Sequence, residues 1–406
     1  MLKKVCRNLI ARLEPMIENR PDVKGEITLE WARNTLRSFD GDQPVCWMGF
    51  NVPKEIPLAL GYLPFYPELA PTMLAAFDLS ADLVEMTEKQ FYNMFCCSFH
   101  RCSLGAVTQE IWPKPTAILG LSNVCDGQVK LLNLFGDMYG IKSLILEVPA
   151  TSNERNIDYL EEQLRGIIAP LEDLSGERLT QEKLSETIRI SNRLRDTLIQ
   201  INELRKHSPT PFHGARALNA LYTLIIQIWG LPNAPDILEN LVREIEEEER
   251  SGNVGEEKFR LMLLGGIPTY KTDLFNWLER DMGANIVMSE LTDVTWDEMD
   301  EQDPYRDLAR KIILHPVSGT NEKRVEWAFK IAKDYAIDGA VHISHWGCRQ
   351  TSGGVGVLRE GLETIGIPLM NLDIDLVDPR SYSSGQTYTR IQAFIEMLGQ
   401  RRGEET

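Results

Sequence analysis

Short apolar runs alternate with helical patterns in two separate parts of the chain, and this alternation limits the possible folds more than any other feature. The runs of the first part are VCWMGF, ADLVEM, TAILGL and SLILEV, between Val45 and Val148. Helical stretches such as 71–77 and 127–138 separate them. The runs of the second part lie at 259–266, 285–288, 340–344 and 368–373, before a helix predicted at 389–398. Strands that alternate with helices are typical of parallel sheets covered by helices.

The other two parts of the chain show helical patterns only. Apolar residues three and four apart predict two helices in residues 1–40. Residues 156–249 contain long charged helical patterns without a convincing strand, and the acidic run 246–249 is interpreted as a solvated helix face. We divide the chain into segments with these predicted bounds: N-terminal helices (1–40), a first α/β domain (41–155), a helical insertion (156–256) and a second α/β domain with a C-terminal helix (257–406).

The fold class predicted is therefore α/β, with two flavodoxin-like or Rossmann-like parallel-sheet domains. Open parallel sheets bind ligands outside the carboxyl ends of their strands. We expect the functional site on loops that follow strands, in the cleft between the two domains. The sequence contains no GxGxxG, Walker, HExxH or GxSxG motif, which argues against the common dinucleotide, nucleotide, zinc-protease and hydrolase functions.

Charge and hydropathy argue against two further classes of protein, nucleic-acid binders and membrane-spanning proteins. The chain has 43 Lys and Arg against 60 Asp and Glu, a net charge of -17, which disfavours nucleic-acid binding. The most apolar stretch, 221–231, is about half the roughly 20 residues that a membrane span needs. Charged residues interrupt the first 20 positions, so no secretory signal is expected and the predicted location is cytoplasmic. The seven cysteines are then expected to be reduced.

Two of these cysteines lie at the ends of predicted strands. Cys125 follows the run 117–121, and Cys348 follows the run 340–344. Cys97 lies in the segment FCCSFHRCSLG. Thiolates on separate loops around one cleft can bind an iron-sulfur cluster, zinc or copper(I).

The remaining cysteines give weaker evidence for a metal site. Cys6, on an amphipathic helix, and Cys46, inside a strand, are expected to pack in the core. Cys96 and Cys102 leave an alternative open, because a Cys97-x4-Cys102 pair could contribute to a four-thiolate zinc site with the two strand-end cysteines.

The end of the chain carries a more specific pattern. It contains a Cys followed by a basic residue, a GIP strand, D-x-D, D-x-R and T-R-x-x-A-F-x-E. The residues that supply this pattern are Cys348-Arg349, Gly366-Ile367-Pro368, Asp373, Asp375, Asp378, Arg380, Thr389-Arg390, Ala393-Phe394 and Glu396. The pattern resembles the carboxyl-terminal signature of the 2-hydroxyacyl-CoA dehydratase and benzoyl-CoA reductase family. Upstream, NVPKEIPLALGYLPFYPE, SNVCDGQVK and GEEKFRLMLLGGIP resemble other segments of that family, so the likeness runs from about Pro44 to Leu398.

This resemblance implies one [4Fe-4S] cluster per subunit, held by three cysteines with one iron open to a substrate or water oxygen. Matched residue by residue, the ligands are Cys97, Cys125 and Cys348. Cys97 is preferred to Cys96 because the family's first ligand precedes a glycine by eight positions, here Gly105. The implied partners are a paralogous dehydratase subunit, an ATP-dependent iron-sulfur activator and an acyl-CoA substrate.

The resemblance also implies a reaction. In the dehydratases, one electron enters the thioester carbonyl to form a ketyl radical, which expels the neighbouring hydroxyl, and a base removes the β proton. Glu68, in the segment FYPELAP, matches the family's catalytic carboxylate. Glu55 is a weaker candidate for this base, because its position suits the first turn of a helix.

Some positions leave the function open. Phe50 stands where many dehydratases carry a hydroxyl residue, which leaves an aromatic substrate possible. His342 and His345 precede Cys348 and could contact a cluster or substrate. The leading hypothesis is a subunit of an (R)-2-hydroxyacyl-CoA dehydratase, a hydro-lyase. The alternatives are a benzoyl-CoA reductase-type subunit, a non-catalytic electron-relay subunit and the four-thiolate zinc protein.

Overall fold

The computed structural model describes residues 1–20, 22–90, 93–252 and 254–403. Within these residues the chain forms two four-stranded sheets with helices between the strands. The strands are β1 (Val45–Met48), β2 (Leu63–Phe65), β3 (Ala117–Leu121), β4 (Leu144–Leu146), β5 (Phe259–Gly265), β6 (Ala284–Ser289), β7 (Gly339–Ser344) and β8 (Leu369–Asp373).

The helices that accompany the first sheet and the insertion come first in the chain. They are α1 (Leu2–Asn19), α2 (Val23–Arg37), α3 (Glu55–Ala59), α4 (Pro71–Ala76), α5 (Ser80–Lys89), α6 (Ser98–Thr108), α7 (Asp126–Tyr139), α8 (Glu154–Gly166), α9 (Ile168–Ser175), α10 (Gln181–Leu204), α11 (Gly214–Thr223), a π-helical turn (Leu224–Ile228) and α12 (Ala234–Ser251). The later helices are α13 (Leu274–Arg280), α14 (Tyr305–Leu314), α15 (Asn321–Asp334), α16 (Arg349–Gly353), α17 (Val355–Thr364), a 3-10 turn (Pro379–Ser381) and α18 (Ser384–Arg402).

Both sheets are parallel, and both have the same strand order. The first is β2-β1-β3-β4 and the second is β6-β5-β7-β8. In each sheet the chain moves from a central strand to one edge and then returns to the other side, so the switch points lie between β1 and β3 and between β5 and β7. Ligands of open parallel sheets bind at such points. The predicted α/β class with two parallel sheets is confirmed.

One predicted strand of the first sheet was wrong. The run ADLVEM lies in helix α5, where Ser80, Leu83, Val84 and Thr87 are buried at helical spacing. The fourth strand is instead β2, which is only three residues long and contains a proline. Proline is tolerated there because β2 is an edge strand, where one backbone face needs no ladder partner.

The N-terminal part of the chain forms α1 and α2, and the part predicted as a helical insertion contains α8 to α12. The acidic run 246–249 lies on α12, which ends at Ser251 before Gly252 with a φ of 67°. Cys6 and Cys46 are fully buried in apolar clusters, as expected. The domain boundaries stay predictions.

The two sheets are joined by a continuous core. One buried apolar cluster contains Trp47 and Ile118 from the first sheet, Leu261 and Val341 from the second, and Leu198 from the insertion. This shared packing holds the loops at the strand ends of both sheets in a fixed relation. Across the described part of the chain, no helix is sufficiently long and apolar to span a bilayer.

Candidate functional site

Three cysteines from separate parts of the chain line one cavity. Cys97 directly precedes α6, Cys125 precedes α7 after β3, and Cys348 precedes α16 after β7. The cavity has a volume of about 430 Å³, and Glu68 lies in its wall beside them. The structure therefore brings together all four residues that the sequence indicated. Glu68, Cys125 and Cys348 follow strands of the two sheets, where the topology places ligands, whereas Cys97 lies between α5 and α6 in the chain.

The Cys348 loop reaches the Cys97 loop because a glycine lies between them. Gly347 has a φ of 74°, and a Cβ atom there would lie 2.6 Å from the backbone nitrogen of Cys97. Any other residue would therefore meet both backbone strain and a clash with backbone atoms. Gly127 has a similar role beside Cys125, since its Cβ would lie 2.6 Å from the His100 ring.

The second acidic residue of the D-x-D segment anchors the Cys97 loop. The Oδ1 atom of Asp375 accepts hydrogen bonds from the Ser98 hydroxyl (2.6 Å), the Val377 amide (2.9 Å) and the Asp378 amide (2.8 Å). The Arg101 guanidinium lies 3.8 Å from its other oxygen. Because Ser98 follows Cys97, this buried network ties the start of α6 to the loop after β8.

Burial dominates the electrostatics of the Cys97 and Cys125 thiols. It raises the pKa of Cys97 well above the ordinary thiol value, and the neighbouring Cys348 and Cys125 raise it further. Burial raises the pKa of Cys125 to about 12, with Glu68 as the next cause. Nearby cationic charge is therefore needed to make these groups thiolates, and a bound metal supplies such charge. A set of clustered, half-buried thiols that form no disulfide fits a metal cluster.

His345 contacts the first of these cysteines. Its Nε2 atom lies 3.2 Å from the Cys97 sulfur, and its Nδ1 atom accepts a hydrogen bond from the Leu376 amide at 3.1 Å. Burial lowers the pKa of His345 to about 4, although Asp375 opposes the shift. The imidazole is therefore neutral near pH 7, with its proton on Nε2 and directed at the sulfur.

Glu68 is buried and held on both oxygens. Its Oε1 atom lies 3.0 Å from His100 Nε2, and its Oε2 atom accepts a hydrogen bond from the Gln128 amide. His100 Nε2 also lies 3.8 Å from the Cys125 sulfur. Donor atoms of Glu68, His100 and Cys125 all lie within 4.8 Å of one another, a spacing that could hold a metal ion. The carboxylate is thus positioned against the cysteine cluster rather than on a solvated loop.

Sequence reasoning missed His100 and Gln128 as members of the site. Each lies three residues after a cysteine of the cavity, Cys97 and Cys125 respectively. Residues three apart share one helix face, so the spacing was the signal that could have identified them.

Comparison with known proteins identifies the family of this chain. The family described as 2-hydroxyglutaryl-CoA dehydratase, D-component, matches residues 49–398. The chain belongs to this family. The resemblance inferred from the cysteine loops and the carboxyl-terminal pattern is confirmed.

Named relatives in the family are dehydratase and reductase subunits. The (R)-phenyllactyl-CoA dehydratase alpha subunit of Clostridium sporogenes is 26% identical, over 94% of this chain and 96% of its own length. The alpha subunit of lactoyl-CoA dehydratase from Anaerotignum propionicum is 25% identical, over 87% and 90%. One of the benzoyl-CoA reductase subunits of Thauera aromatica is 26% identical, over 80% and 81%.

Other residues that the sequence singled out lie away from the thiols. Glu55 opens α3, as its first-turn position suggested, and is buried against Lys311 and Ser191. His342 is buried in β7 with its Nδ1 atom 2.9 Å from the Asn371 side-chain oxygen. Both therefore hold the structure together instead of lining the cysteine cavity.

The remaining two cysteines of the Cys97 segment do not join the site. Cys102 is fully buried in the apolar core on α6, which disagrees with the four-thiolate zinc alternative. Among the residues described, Cys97 lines the cavity and Cys96 does not.

Proposed function

We propose that this chain is the cluster-bearing subunit of an (R)-2-hydroxyacyl-CoA dehydratase, a hydro-lyase. The observation that carries this proposal is that Cys97, Cys125, Cys348 and Glu68 line one cavity. Family membership and the names of the relatives support it. The reaction removes the C2 hydroxyl and a C3 proton from a 2-hydroxyacyl-CoA, and yields a 2-enoyl-CoA and water.

The proposed cofactor is a [4Fe-4S] cluster whose ligands are Cys97, Cys125 and Cys348. When bound, such a cluster supplies one-electron chemistry and an open iron that can accept a substrate oxygen. Burial raises the pKa of Cys97 and of Cys125, which suits ligands that become thiolates only beside a metal. The Nε2–H group of His345 then donates a hydrogen bond to the Cys97 sulfur and holds that ligand in place.

Glu68 is proposed as the base that removes the C3 proton. The Gln128 amide donates to one oxygen and His100 contacts the other, which fixes the carboxylate plane while leaving each oxygen a free lone pair. A positioned carboxylate can take a proton at neutral pH when the neighbouring substrate atom has become acidic. Burial of Glu68 in the cavity wall limits competing proton exchange with water.

The proposed partners are a paralogous subunit of similar fold and an ATP-dependent iron-sulfur activator. The names of the relatives describe alpha subunits, which supports assembly with a second type of subunit. The activator is needed to deliver an electron at low potential, and the 2-hydroxyacyl-CoA enters the cysteine cavity.

The test is anaerobic purification followed by metal analysis and a turnover assay. We expect about four irons and four sulfides per chain, and both should be lost in air. Dehydration should occur with the partner subunit, reduced activator, ATP and a panel of 2-hydroxyacyl-CoA thioesters. Zinc in place of iron, or full activity of the chain without a partner, would contradict the proposal.

A benzoyl-CoA reductase-type subunit is the second candidate. Phe50 lines the cysteine cavity where many dehydratases carry a hydroxyl residue, and the relatives include a subunit of benzoyl-CoA reductase. The assay separates the two reactions: reduction of an aromatic ring consumes two electrons per product, whereas dehydration consumes none. An electron-relay subunit would show the cluster signal but bind no thioester.

A further inference from the structure

A compact group of three metal-binding side chains lies at the wall of the cysteine cavity. Glu68, His100 and Cys125 each offer one donor atom, and these three atoms lie within 4.8 Å of one another. No second group of His, Cys, Asp or Glu with this spacing occurs in the part of the chain that the structure describes. We call these three residues the compact triad.

The distances within the compact triad resemble those of a mononuclear zinc site. His100 Nε2 lies 3.0 Å from Glu68 Oε1 and 3.8 Å from the Cys125 sulfur. Tetrahedral zinc with ordinary bond lengths holds a nitrogen ligand roughly 3.4 Å from an oxygen ligand and roughly 3.6 Å from a sulfur ligand. Each observed distance lies within about 0.4 Å of these values. Small side-chain shifts therefore make room for one ion between the three atoms.

The surroundings of the compact triad suit a bound ion. The Gln128 amide donates to Glu68 Oε2 and leaves Oε1 for the ion, and such hydrogen bonds orient the ligands of metal sites. Glu68 and His100 are buried, whereas Cys125 is half-buried. Glu68 and Cys125 also line the cavity, so an ion has an entry path and space for a water as its fourth ligand.

The donor types favour zinc over other common divalent ions. Ca²⁺ and Mg²⁺ prefer sites built from oxygen ligands alone. A carboxylate oxygen, an imidazole nitrogen and a thiolate sulfur are all ordinary ligands of Zn²⁺. Such mixed sites bind Zn²⁺ more tightly than Fe²⁺.

We propose that the cluster-free chain binds one Zn²⁺ through Glu68 Oε1, His100 Nε2 and the Cys125 sulfur. The ion displaces the thiol proton of Cys125, and the ring proton of His100 then lies on Nδ1. Bound zinc and the proposed cluster exclude each other, because both need Cys125. The zinc site is independent of the proposed function, whereas the exclusion of the cluster rests on it.

The three cavity thiols fit a single zinc ion less well. One zinc holds two sulfur ligands roughly 3.8 Å apart. Cys97, Cys125 and Cys348 do not form a group within the 4.8 Å spacing of the compact triad. The Cys97 sulfur instead contacts His345 Nε2 at 3.2 Å. A four-iron cluster is wider than one ion and suits these more widely spaced thiols, so the cavity offers two different metal geometries.

The test titrates the full-length chain with Zn²⁺ after a chelator has removed its iron under anaerobic, reducing conditions. Competition with a chromogenic zinc chelator gives the stoichiometry and the dissociation constant, and we expect one Zn²⁺ per chain. Co²⁺ replaces Zn²⁺ as a spectroscopic probe. It should show the visible absorption of a tetrahedral site and a sulfur-to-cobalt charge-transfer band. Circular dichroism checks that the iron-free chain and each variant are folded.

Substitutions assign the ion to the compact triad. His100→Gln and Glu68→Gln keep the size of each side chain and should each weaken zinc binding by roughly 100-fold, because even indirect partners of metal ligands contribute roughly 10- to 100-fold. Cys348→Ala is the control inside the cavity and should leave the dissociation constant unchanged, since Cys348 lies outside the compact triad. His207→Ala, which removes an exposed histidine beside Glu249, controls for binding at the surface.

Three results would overturn the zinc site. They are no zinc binding by the folded wild type, unchanged affinity in both His100→Gln and Glu68→Gln, and a loss in Cys348→Ala as large as that in His100→Gln. The last result would place the ion on the cluster thiols. Either glutamine variant alone keeps the test valid if the other does not fold.

Reconstitution with iron and sulfide tests the exclusion. One equivalent of Zn²⁺ added first should prevent most cluster formation in the wild type and little of it in His100→Gln. Cluster formation that zinc leaves unchanged in the wild type would overturn the exclusion. Failure of the wild type to form a cluster without zinc would instead reject the proposed function, while the zinc dissociation constants would still decide the zinc site.

Discussion

The Nε2 atom of His345 lies 3.2 Å from the sulfur of Cys97, although 248 positions separate the two residues in the sequence. The Leu376 amide donates to the other ring nitrogen of His345, so the proton of the neutral ring is directed at the sulfur. A hydrogen bond to a cluster ligand stabilises the reduced, more negative cluster. His345 is therefore a positioning residue that couples the second sheet to the proposed cluster.

Replacing His345 should change the cluster potential without removing the cluster. We expect His345→Ala to lower the midpoint potential by roughly 50 mV, the one-electron equivalent of about 1 kcal/mol for a lost hydrogen bond. His345→Gln can place an amide donor near the same point and should restore part of the shift. Redox titration followed by electron paramagnetic resonance measures both, and an unchanged potential in His345→Ala would contradict the assigned hydrogen bond.

The three cavity cysteines should each be required for iron. Cys97→Ala, Cys125→Ala and Cys348→Ala should lose most of the iron and sulfide while circular dichroism stays close to that of the wild type. Cys96→Ala is the matched control, because Cys96 adjoins Cys97 and does not line the cavity among the residues described. Loss of iron in Cys96→Ala with full iron in Cys97→Ala would shift the ligand assignment by one residue.

Glu68→Gln should reduce turnover by roughly 100-fold or more, within the range for a lost general base. The amide keeps the size of the side chain and can still contact Gln128 and His100, so iron content and thioester binding should be unchanged. Glu85→Gln, on the exposed face of α5, is the control and should keep full activity. Near-normal turnover of Glu68→Gln in the dehydration assay would remove Glu68 from the mechanism.

Gly347→Ala should disrupt the cysteine cluster more than backbone strain alone explains. Gly347 and Gly366 have similar φ values of 74° and 78°, but a Cβ on Gly366 meets no described heavy atom within 4 Å. Both variants carry the left-handed backbone cost of about 1 to 2 kcal/mol, whereas Gly347→Ala also clashes with the Cys97 backbone. Iron analysis should show loss in Gly347→Ala and retention in Gly366→Ala. Equal iron in the two variants would show that the loops need no such close contact.

The buried pair of Glu55 and Lys311 should make stability depend on pH. Burial would raise the pKa of Glu55, but the charge and hydrogen bond of Lys311 outweigh burial and lower it. A lowered pKa stabilises the fold above the unfolded-state value of about 4.3, and this contribution is lost as the pH falls through the lower folded value. The difference in urea midpoint between the wild type and Glu55→Gln should therefore shrink as the pH falls below about 4.3.

The same pair can be tested at neutral pH. Lys311→Met leaves a buried carboxylate without its cation, which should cost about 3 to 5 kcal/mol. Adding Glu55→Gln to Lys311→Met should recover part of the lost stability, because the uncompensated charge is then gone. A double variant less stable than Lys311→Met would contradict this account.

Local patterns in the sequence predicted the strands and helices that position the site. Hydrophobic periodicity located β1, β3, β4 and the four strands of the second sheet within a few residues, because burial of one face imposes its period on the chain. It failed at β2, whose three residues are too few to show a period, and at α5, where the short run ADLVEM fits a strand or a helix. The strand-end positions of Cys125 and Cys348 followed from the same patterns.

What the sequence determined by itself was the α/β class, the family and the three cysteine loops with Glu68, since short motifs and periodicity record local constraints. Only the tertiary structure decided that His345 faces Cys97 and that His100 and Gln128 hold Glu68. It also placed Lys54 and Lys311 on the wall of one cavity. These contacts join residues tens to hundreds of positions apart. Their geometry depends on how the two sheets and the helical insertion pack around a shared core. No local sequence pattern encodes that packing.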